Sequence, residues 1–94
     1  MNIELYNQLK EIKPDLAKYH LSRLRLFGSH ARDDYRQDSD VDLLVYFDEM
    51  PSFFELVDIQ TDIEDKIKKK VDFVFEHKIF PEFKESILED AIDV

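Results

Sequence analysis

The feature that most restricts the fold is a glycine–serine pair followed by two alternating aspartates. Gly28 is the only glycine in the chain, and Gly28-Ser29 directly follow an apolar segment. Asp40 and Asp42 stand at the beginning of a second apolar segment, residues 43–47. β-Branched and aromatic residues in such a short apolar run are typical of a strand buried on both faces. The pattern therefore predicts a strand, a tight polar turn and a second strand.

The two aspartates predict a cation site. Successive side chains of a strand point to opposite faces, so Asp40 and Asp42 should emerge on the same face. Neighbouring carboxylates repel each other strongly unless a cation lies between them. Hard oxygen ligands suit Mg²⁺, which usually keeps several waters and accepts phosphate oxygens as further ligands.

The turn before the aspartates has the residues of an anion site. Gly28 has no Cβ, so backbone amides can approach an anion closely, and Ser29 adds a hydroxyl. Ala31-Arg32 can open a short helical turn whose amides favour phosphate. Two roles stay open for Arg32, which can clamp a phosphate or pair with a nearby carboxylate. The candidate partners are Asp33, Asp34 and Asp38.

A third aspartate lies in a later strand-like run. Residues 71–75 alternate so that Asp72 and Val74 share one face, opposite Val71 and the two phenylalanines. If this strand pairs with the strand of Asp42, Asp72 projects toward the other two aspartates. Three carboxylates can hold two metal ions, which stabilise the attacking and leaving oxygens of a phosphoryl displacement.

The predicted fold class is α/β (α+β), a small mixed sheet flanked by helices. Ser52 and Glu55 form a capping-box pattern that predicts the start of the central helix. The cluster Lys66 to Lys70 is interpreted as the solvated end of that helix, with nucleotide or partner contact as the alternative. The predicted elements are helix 3–19 interrupted at Pro14, strand 21–27, strand 43–47, helix 52–69, strand 71–75 and a last helix from Pro81.

Several side chains receive structural rather than functional predictions. Phe53, Phe54 and Phe80 are expected to complete the core, with an interface as the alternative. Phe83 is expected to face inward from the last helix. The three histidines show no metal-ligand spacing. His30 is expected to have a surface role rather than a catalytic one.

Composition sets the outer limits. A chain of 94 residues predicts one domain spanning residues 1–94. Cysteine is absent, so disulfides and thiolate sites are excluded. No membrane span or signal peptide is predicted, and a cytoplasmic location is expected. The net charge of −9 argues against direct nucleic-acid binding but suits a basic protein partner. Homo- and hetero-oligomers both stay open.

Together these residues resemble the minimal nucleotidyltransferases (MNT) of the DNA polymerase β-like superfamily. The family signature is Gly-Ser, ten residues and then Asp-x-Asp, which this chain matches at Gly28, Ser29, Asp40 and Asp42. Ala31, Arg32 and Ser39 also occupy their expected places. Lys70-Val71-Asp72 is similar to the segment with the family's third aspartate, and residues 87–92 resemble the family's ending. Asp33 departs from the pattern, since most relatives have glycine there.

The resemblance implies an enzyme that moves AMP from ATP to an acceptor hydroxyl. By the family's logic, Asp40, Asp42 and Asp72 are catalytic and bind two Mg²⁺ ions, and Asp72 also helps to deprotonate the acceptor. Gly28, Ser29 and Arg32 are the nucleotide-binding residues.

Minimal nucleotidyltransferases of this size resemble antitoxins that adenylylate a tyrosine of a HEPN-domain ribonuclease toxin. This resemblance implies such a toxin as the partner of the chain. Two alternatives stay open. One is an inactive binding module that silences its partner by occlusion, and the other is a nucleotide sensor.

Overall fold

The computed structural model describes all 94 residues and contains one four-stranded mixed sheet. The strands lie in the order β3-β2-β1-β4; β1 is antiparallel to β2 and β4, whereas β3 is parallel to β2. The predicted fold class is confirmed. None of the helices is both long enough and apolar enough to cross a membrane. The elements are α1 (Ile3–Leu16), β1 (Leu21–Phe27), α2 (Ser29–Arg32), β2 (Val41–Phe47), α3 (Phe53–Ile67), β3 (Val71–Phe75), α4 (Pro81–Asp90) and β4 (Ile92–Asp93).

The core lies between one face of the sheet and the two long helices. α1 and α3 each bury a stripe of apolar side chains, and the strands supply every second residue. Burial of these apolar side chains holds the two helices against one face of the sheet. The opposite face of the sheet is more open. The core side chains include Leu5, Leu9, Leu16, Leu24, Leu26, Val41, Leu43, Val45, Ile59, Ile63 and Ile67.

Pro14 does not interrupt α1, contrary to the prediction. The helix passes through Pro14 and ends at Leu16, and residues Ala17–Tyr19 form a 3₁₀ turn. A proline removes one backbone hydrogen bond from a helix and strains the preceding turn. Leu16 is buried two residues further on, and its packing in the core offsets that loss.

The capping box of α3 is confirmed. The Glu55 amide donates to Ser52 Oγ at 3.2 Å, and the Ser52 amide donates to the Glu55 carboxylate at 3.0 Å. These bonds lower the pKa of Glu55. α3 ends two residues earlier than expected, because Lys68 takes a left-handed conformation with φ of 60°.

The predicted core role of four phenylalanines is wrong. Phe53 and Phe54 are 74% and 79% exposed, and Phe80 and Phe83 are also exposed. Phe53 and Phe54 lie in the first turn of α3, before the stripe that begins to be fully buried at Ile59. α4 has no fully buried residue, so its aromatic side chains have no core to enter.

The open face of the sheet differs from the prediction in two respects. β2 was expected to be buried on both faces, but Tyr46 is 41% exposed. The short strand β4 was not predicted, because two residues carry no periodic signal. β4 pairs Asp93 with Arg25 and Ile92 with Leu26, and it extends the sheet beyond β1.

Candidate active site

The three predicted aspartates lie at one end of the open face. Asp42 is the second residue of β2, and the parallel register places it directly beside Asp72 of β3. Asp40 stands two residues before Asp42, just outside the strand. Asp42 is half-buried, whereas Asp40 and Asp72 are exposed. The β2–β3 pairing on which the sequence prediction depended is therefore present.

The backbone of Gly28 packs directly against Asp42. β1 ends at Phe27, which pairs with Asp42 in the antiparallel register, and Gly28 follows with φ of 75° and ψ of −152°. A Cβ at this position would overlap Asp42 Oδ2 and lie 3.1 Å from Asp42 Cγ. Only glycine combines this conformation with so close an approach. The Gly28 backbone and the Asp42 carboxylate are therefore in direct contact, with no space for a side chain between them.

Ser29 begins the short helix α2, two residues earlier than the predicted start at Ala31-Arg32. The amides of Ala31 and Arg32 both donate to the Gly28 carbonyl at 3.1 Å. These two amides close the turn and are engaged within it. Ser29 itself lies half-buried between Gly28 and this turn.

His30 is fully buried, so the prediction of a surface position is wrong. Asn2 Oδ1 accepts the Leu5 amide, which turns Asn2 Nδ2 toward His30 Nδ1 at 3.1 Å. His30 Nδ1 therefore accepts a hydrogen bond, and Nε2 carries the proton and donates to the Ser39 carbonyl at 3.2 Å. The ring also stacks on Tyr35. His30 thus ties α2 to α1 and to the residue before Asp40, a role that no sequence pattern revealed.

Arg32 is engaged by carboxylates. Its Nε donates to Asp34 at 3.1 Å, and its Nη1 donates to Asp90 of α4 at 2.8 Å. These hydrogen bonds, led by that to Asp90, raise the pKa of Arg32. The pairing with Asp34 was one of the two roles considered from the sequence. The contact with Asp90 is long-range and was not expected.

Asp33, which follows Arg32 directly, also has a cationic partner. Asp33 Oδ2 contacts the amino group of Met1, and the residue adopts a left-handed conformation with φ of 70°. Glycine adopts this conformation without strain, and aspartate is among the residues that tolerate it best. The positive φ is therefore a physical reason to expect glycine at this position, as the family resemblance does.

The electrostatics of the site favour a bound cation. Burial, reinforced by the negative charges of Asp72 and Asp40, raises the pKa of Asp42. Asp40, Asp42 and Asp72 do not form a cluster of three or more side chains arranged around a single metal ion. An open set of carboxylate oxygens fits Mg²⁺, which is usually bound by one or two protein carboxylates together with water and phosphate oxygens.

A mixed sheet with paired carboxylates beside a glycine–serine turn defines a nucleotidyltransferase. The model of the protein family described as "Polymerase beta, Nucleotidyltransferase" matches residues 4–94 of this chain. The chain belongs to this family.

Similar proteins agree with the family assignment. A Methanocaldococcus jannaschii protein, provisionally named a protein adenylyltransferase, is 39% identical over 100% of this chain and 99% of its own length. Protein adenylyltransferase MntA of Thermococcus cleftensis is 27% identical over 82% of this chain and 78% of its own length.

Solved structures share the fold. One provisionally described as a minimal nucleotidyltransferase has a TM-score of 0.84 and 33% identity, and it covers 100% of this chain and 97% of its own. Another is a tri-AMPylated Shewanella oneidensis HEPN toxin in complex with MNT antitoxin. It has a TM-score of 0.70 and 15% identity over 99% of this chain and 70% of that chain.

Proposed function

We propose that this nucleotidyltransferase moves AMP from ATP to a hydroxyl of a protein acceptor. The acceptor is a tyrosine of a HEPN-domain ribonuclease toxin, and the modification makes the chain an antitoxin. The observation that carries the proposal is the pairing of Asp42 with Asp72, with the Gly28 backbone packed against Asp42. Relatives named as protein adenylyltransferases support a protein acceptor. The toxin complex of similar fold supports the partner class.

The nucleotide lies on the Gly28 side of Asp42 in this proposal. Gly28 keeps its backbone against the Asp42 carboxylate, and the Ser29 hydroxyl donates to a β- or γ-phosphate oxygen. Asp40, Asp42 and Asp72 are the residues that would hold two Mg²⁺ ions. When bound, Mg²⁺ supplies positive charge that offsets the triphosphate and the charge that develops during transfer.

In this proposal, Asp72 is the residue that acts on the acceptor. Its carboxylate is exposed, so a side chain of another protein can reach it. Asp72 accepts the proton of the acceptor hydroxyl as general base. The hydroxyl oxygen then forms a bond to the α-phosphorus, the bond from that phosphorus to the bridging oxygen breaks, and pyrophosphate leaves.

A binding module without catalysis is the second candidate function. The observation that favours it is the engagement of Arg32 by Asp34 and Asp90, which occupies a cation expected to bind phosphate. Asp33 adds further negative charge beside the turn. In this alternative the chain silences its partner by covering it.

Intact-mass spectrometry separates the two functions. The protein encoded beside this chain is incubated with it and Mg-ATP, and the Asp40→Ala, Asp42→Ala double variant is treated identically. A gain of whole AMP units that the double variant does not produce supports the transferase. An unmodified partner in a stable complex with both forms supports the binding module.

A further inference from the structure

Asp90, the last residue of α4, ties Arg32 to a distant part of the chain. Asp90 Oδ2 accepts a hydrogen bond from Arg32 Nη1 at 2.8 Å, across 58 positions. The other partner of Arg32, Asp34, is only two positions away and follows the same short helix. Asp90 is therefore the contact that fixes the Arg32 side chain relative to the rest of the molecule.

The segment that follows α4 holds Asp90 in place. β4 begins two positions after Asp90 and pairs with β1. The Val94 amide donates to the Leu24 carbonyl of β1 at 3.0 Å, and Lys13 Nζ of α1 donates to a backbone oxygen of Val94 at 2.8 Å. Because β1 leads directly into the glycine–serine turn, Asp90 is anchored to the same strand as that turn.

The two carboxylates leave part of the Arg32 guanidinium free. Asp34 accepts from Nε and Asp90 accepts from Nη1, so both hydrogens of Nη2 form no hydrogen bond within the chain. The Arg32 side chain is 46% exposed, which leaves these N–H groups open to a ligand. A guanidinium presents its donors in a fixed plane that suits phosphate oxygens. The carboxylates therefore orient Arg32 without using all of its donors.

Arg32 lies close to the aspartates of the site. Burial and the charges of Asp72 and Asp40 raise the pKa of Asp42, and the Arg32 guanidinium is one of two cations that oppose this rise. The Arg32 amide donates to the Gly28 carbonyl, so the residue lies on the Gly28 side of Asp42. This is the side to which the proposed function assigns the triphosphate.

We propose that Asp90 is a positioning residue, which holds the Arg32 guanidinium ready to bind a phosphate of the triphosphate. This inference rests on the proposed function. A mobile arginine loses rotamer freedom when it binds a ligand, and ordering it beforehand removes that cost from binding. A carboxylate without this role would only repel a triphosphate. The two possible effects of Asp90 on nucleotide affinity therefore have opposite signs.

The test measures nucleotide binding rather than transfer. Isothermal titration calorimetry in MgCl₂ uses an ATP analogue with a methylene bridge between its α- and β-phosphates. Asp90→Ala should weaken binding about threefold to tenfold, the cost of ordering one long side chain. Asp90→Asn also loses the charge but keeps an oxygen that accepts from Arg32, so it should bind within about twofold of the wild type.

Glu89→Ala is the matched control for charge. Glu89 precedes Asp90 in α4, is exposed and forms no ion pair, so its loss removes one negative charge without releasing Arg32. The affinity of this variant should not fall. A double-mutant cycle then shows whether Asp90 acts through Arg32: in an Arg32→Ala background, Asp90→Ala should cause no further loss of affinity.

Three outcomes would overturn the inference. Tighter binding by Asp90→Ala would identify Asp90 as a competitor for Arg32. An equal loss in Asp90→Asn would assign the effect to charge rather than to the hydrogen bond, and a loss that persists without Arg32 would assign it to the fold.

Failure of the transferase proposal is visible separately. In that case AMP transfer is absent from the mass spectra, while the differences in nucleotide affinity among the Asp90 variants persist. A wild type that binds no nucleotide would overturn the inference together with the proposed function.

Discussion

At the residue scale, Gly28 meets two constraints at once, its left-handed φ and its contact with Asp42. We expect Gly28→Ala to lower the free energy of unfolding by about 2 kcal/mol and to abolish AMP transfer. Chemical denaturation measures the first effect. In an Asp42→Ala background the new methyl group no longer overlaps a carboxylate, but the backbone strain remains. Gly28→Ala should therefore lower the free energy of unfolding by less in that background. An equal cost in both backgrounds would contradict the assigned contact.

The pKa of Asp42 gives a prediction for the metal-free protein. Because burial and the neighbouring carboxylates raise this pKa, the folded state binds the proton more tightly than the unfolded state. The free energy of unfolding therefore falls as the pH rises from 3.8, the ordinary pKa of an aspartate, to the raised pKa of Asp42. Asp42→Asn should raise the thermal midpoint at neutral pH, and the gain should shrink toward zero below pH 3.8. A lower midpoint at neutral pH would rule out this effect.

Asp33 tests the backbone of the turn. Asp33→Gly should increase the free energy of unfolding by about 0.5 to 1 kcal/mol, because glycine relieves the left-handed strain. Asp34→Gly is the matched control, since it removes the same charge at a residue without a positive φ. Denaturation of both variants separates conformation from charge. A gain shared by both would assign the effect to electrostatics instead.

At the scale of elements, His30 joins α1, α2 and the segment before β2. His30→Phe keeps a buried ring but leaves Asn2 and the Ser39 carbonyl without their partner. We expect a loss of about 2 kcal/mol in the free energy of unfolding and slower AMP transfer, because Ser39 directly precedes Asp40. Denaturation and initial rates measure the two effects. Unchanged rates in a destabilised variant would show that His30 supports only the fold.

Most elements could be predicted from periodicity and capping signals. The Ser52–Glu55 pattern indicated the start of α3, and alternation placed Asp72 on one face of β3. Pro14 and β4 could not be assigned correctly. The path of a helix through Pro14 depends on burial of Leu16 in a core assembled from distant segments, and β4 exists only because β1 offers it an edge.

At the scale of the whole molecule, long-range contacts were the part that sequence reasoning missed. The motif predicted that the Gly28-Ser29 corner faces Asp42, because this contact follows from two strands joined by a turn. It did not predict that Arg32 reaches Asp90 across 58 positions or that His30 is buried. The exposure of Phe53 and Phe54 has the same origin, since hydrophobicity does not reveal where a helix extends beyond the core.

The net charge of −9 predicts two separable responses to salt. Monovalent ions screen the repulsion among all carboxylates, so NaCl should raise the thermal midpoint of the wild type. MgCl₂ at equal ionic strength should raise it further, because in the proposed mechanism Mg²⁺ also binds Asp40, Asp42 and Asp72, and it does so in the folded state alone. The Asp40→Ala, Asp42→Ala variant should keep the response to NaCl and lose the additional response to MgCl₂. Equal additional responses in both proteins would place Mg²⁺ on the general acidic surface and remove the metal from the proposed mechanism.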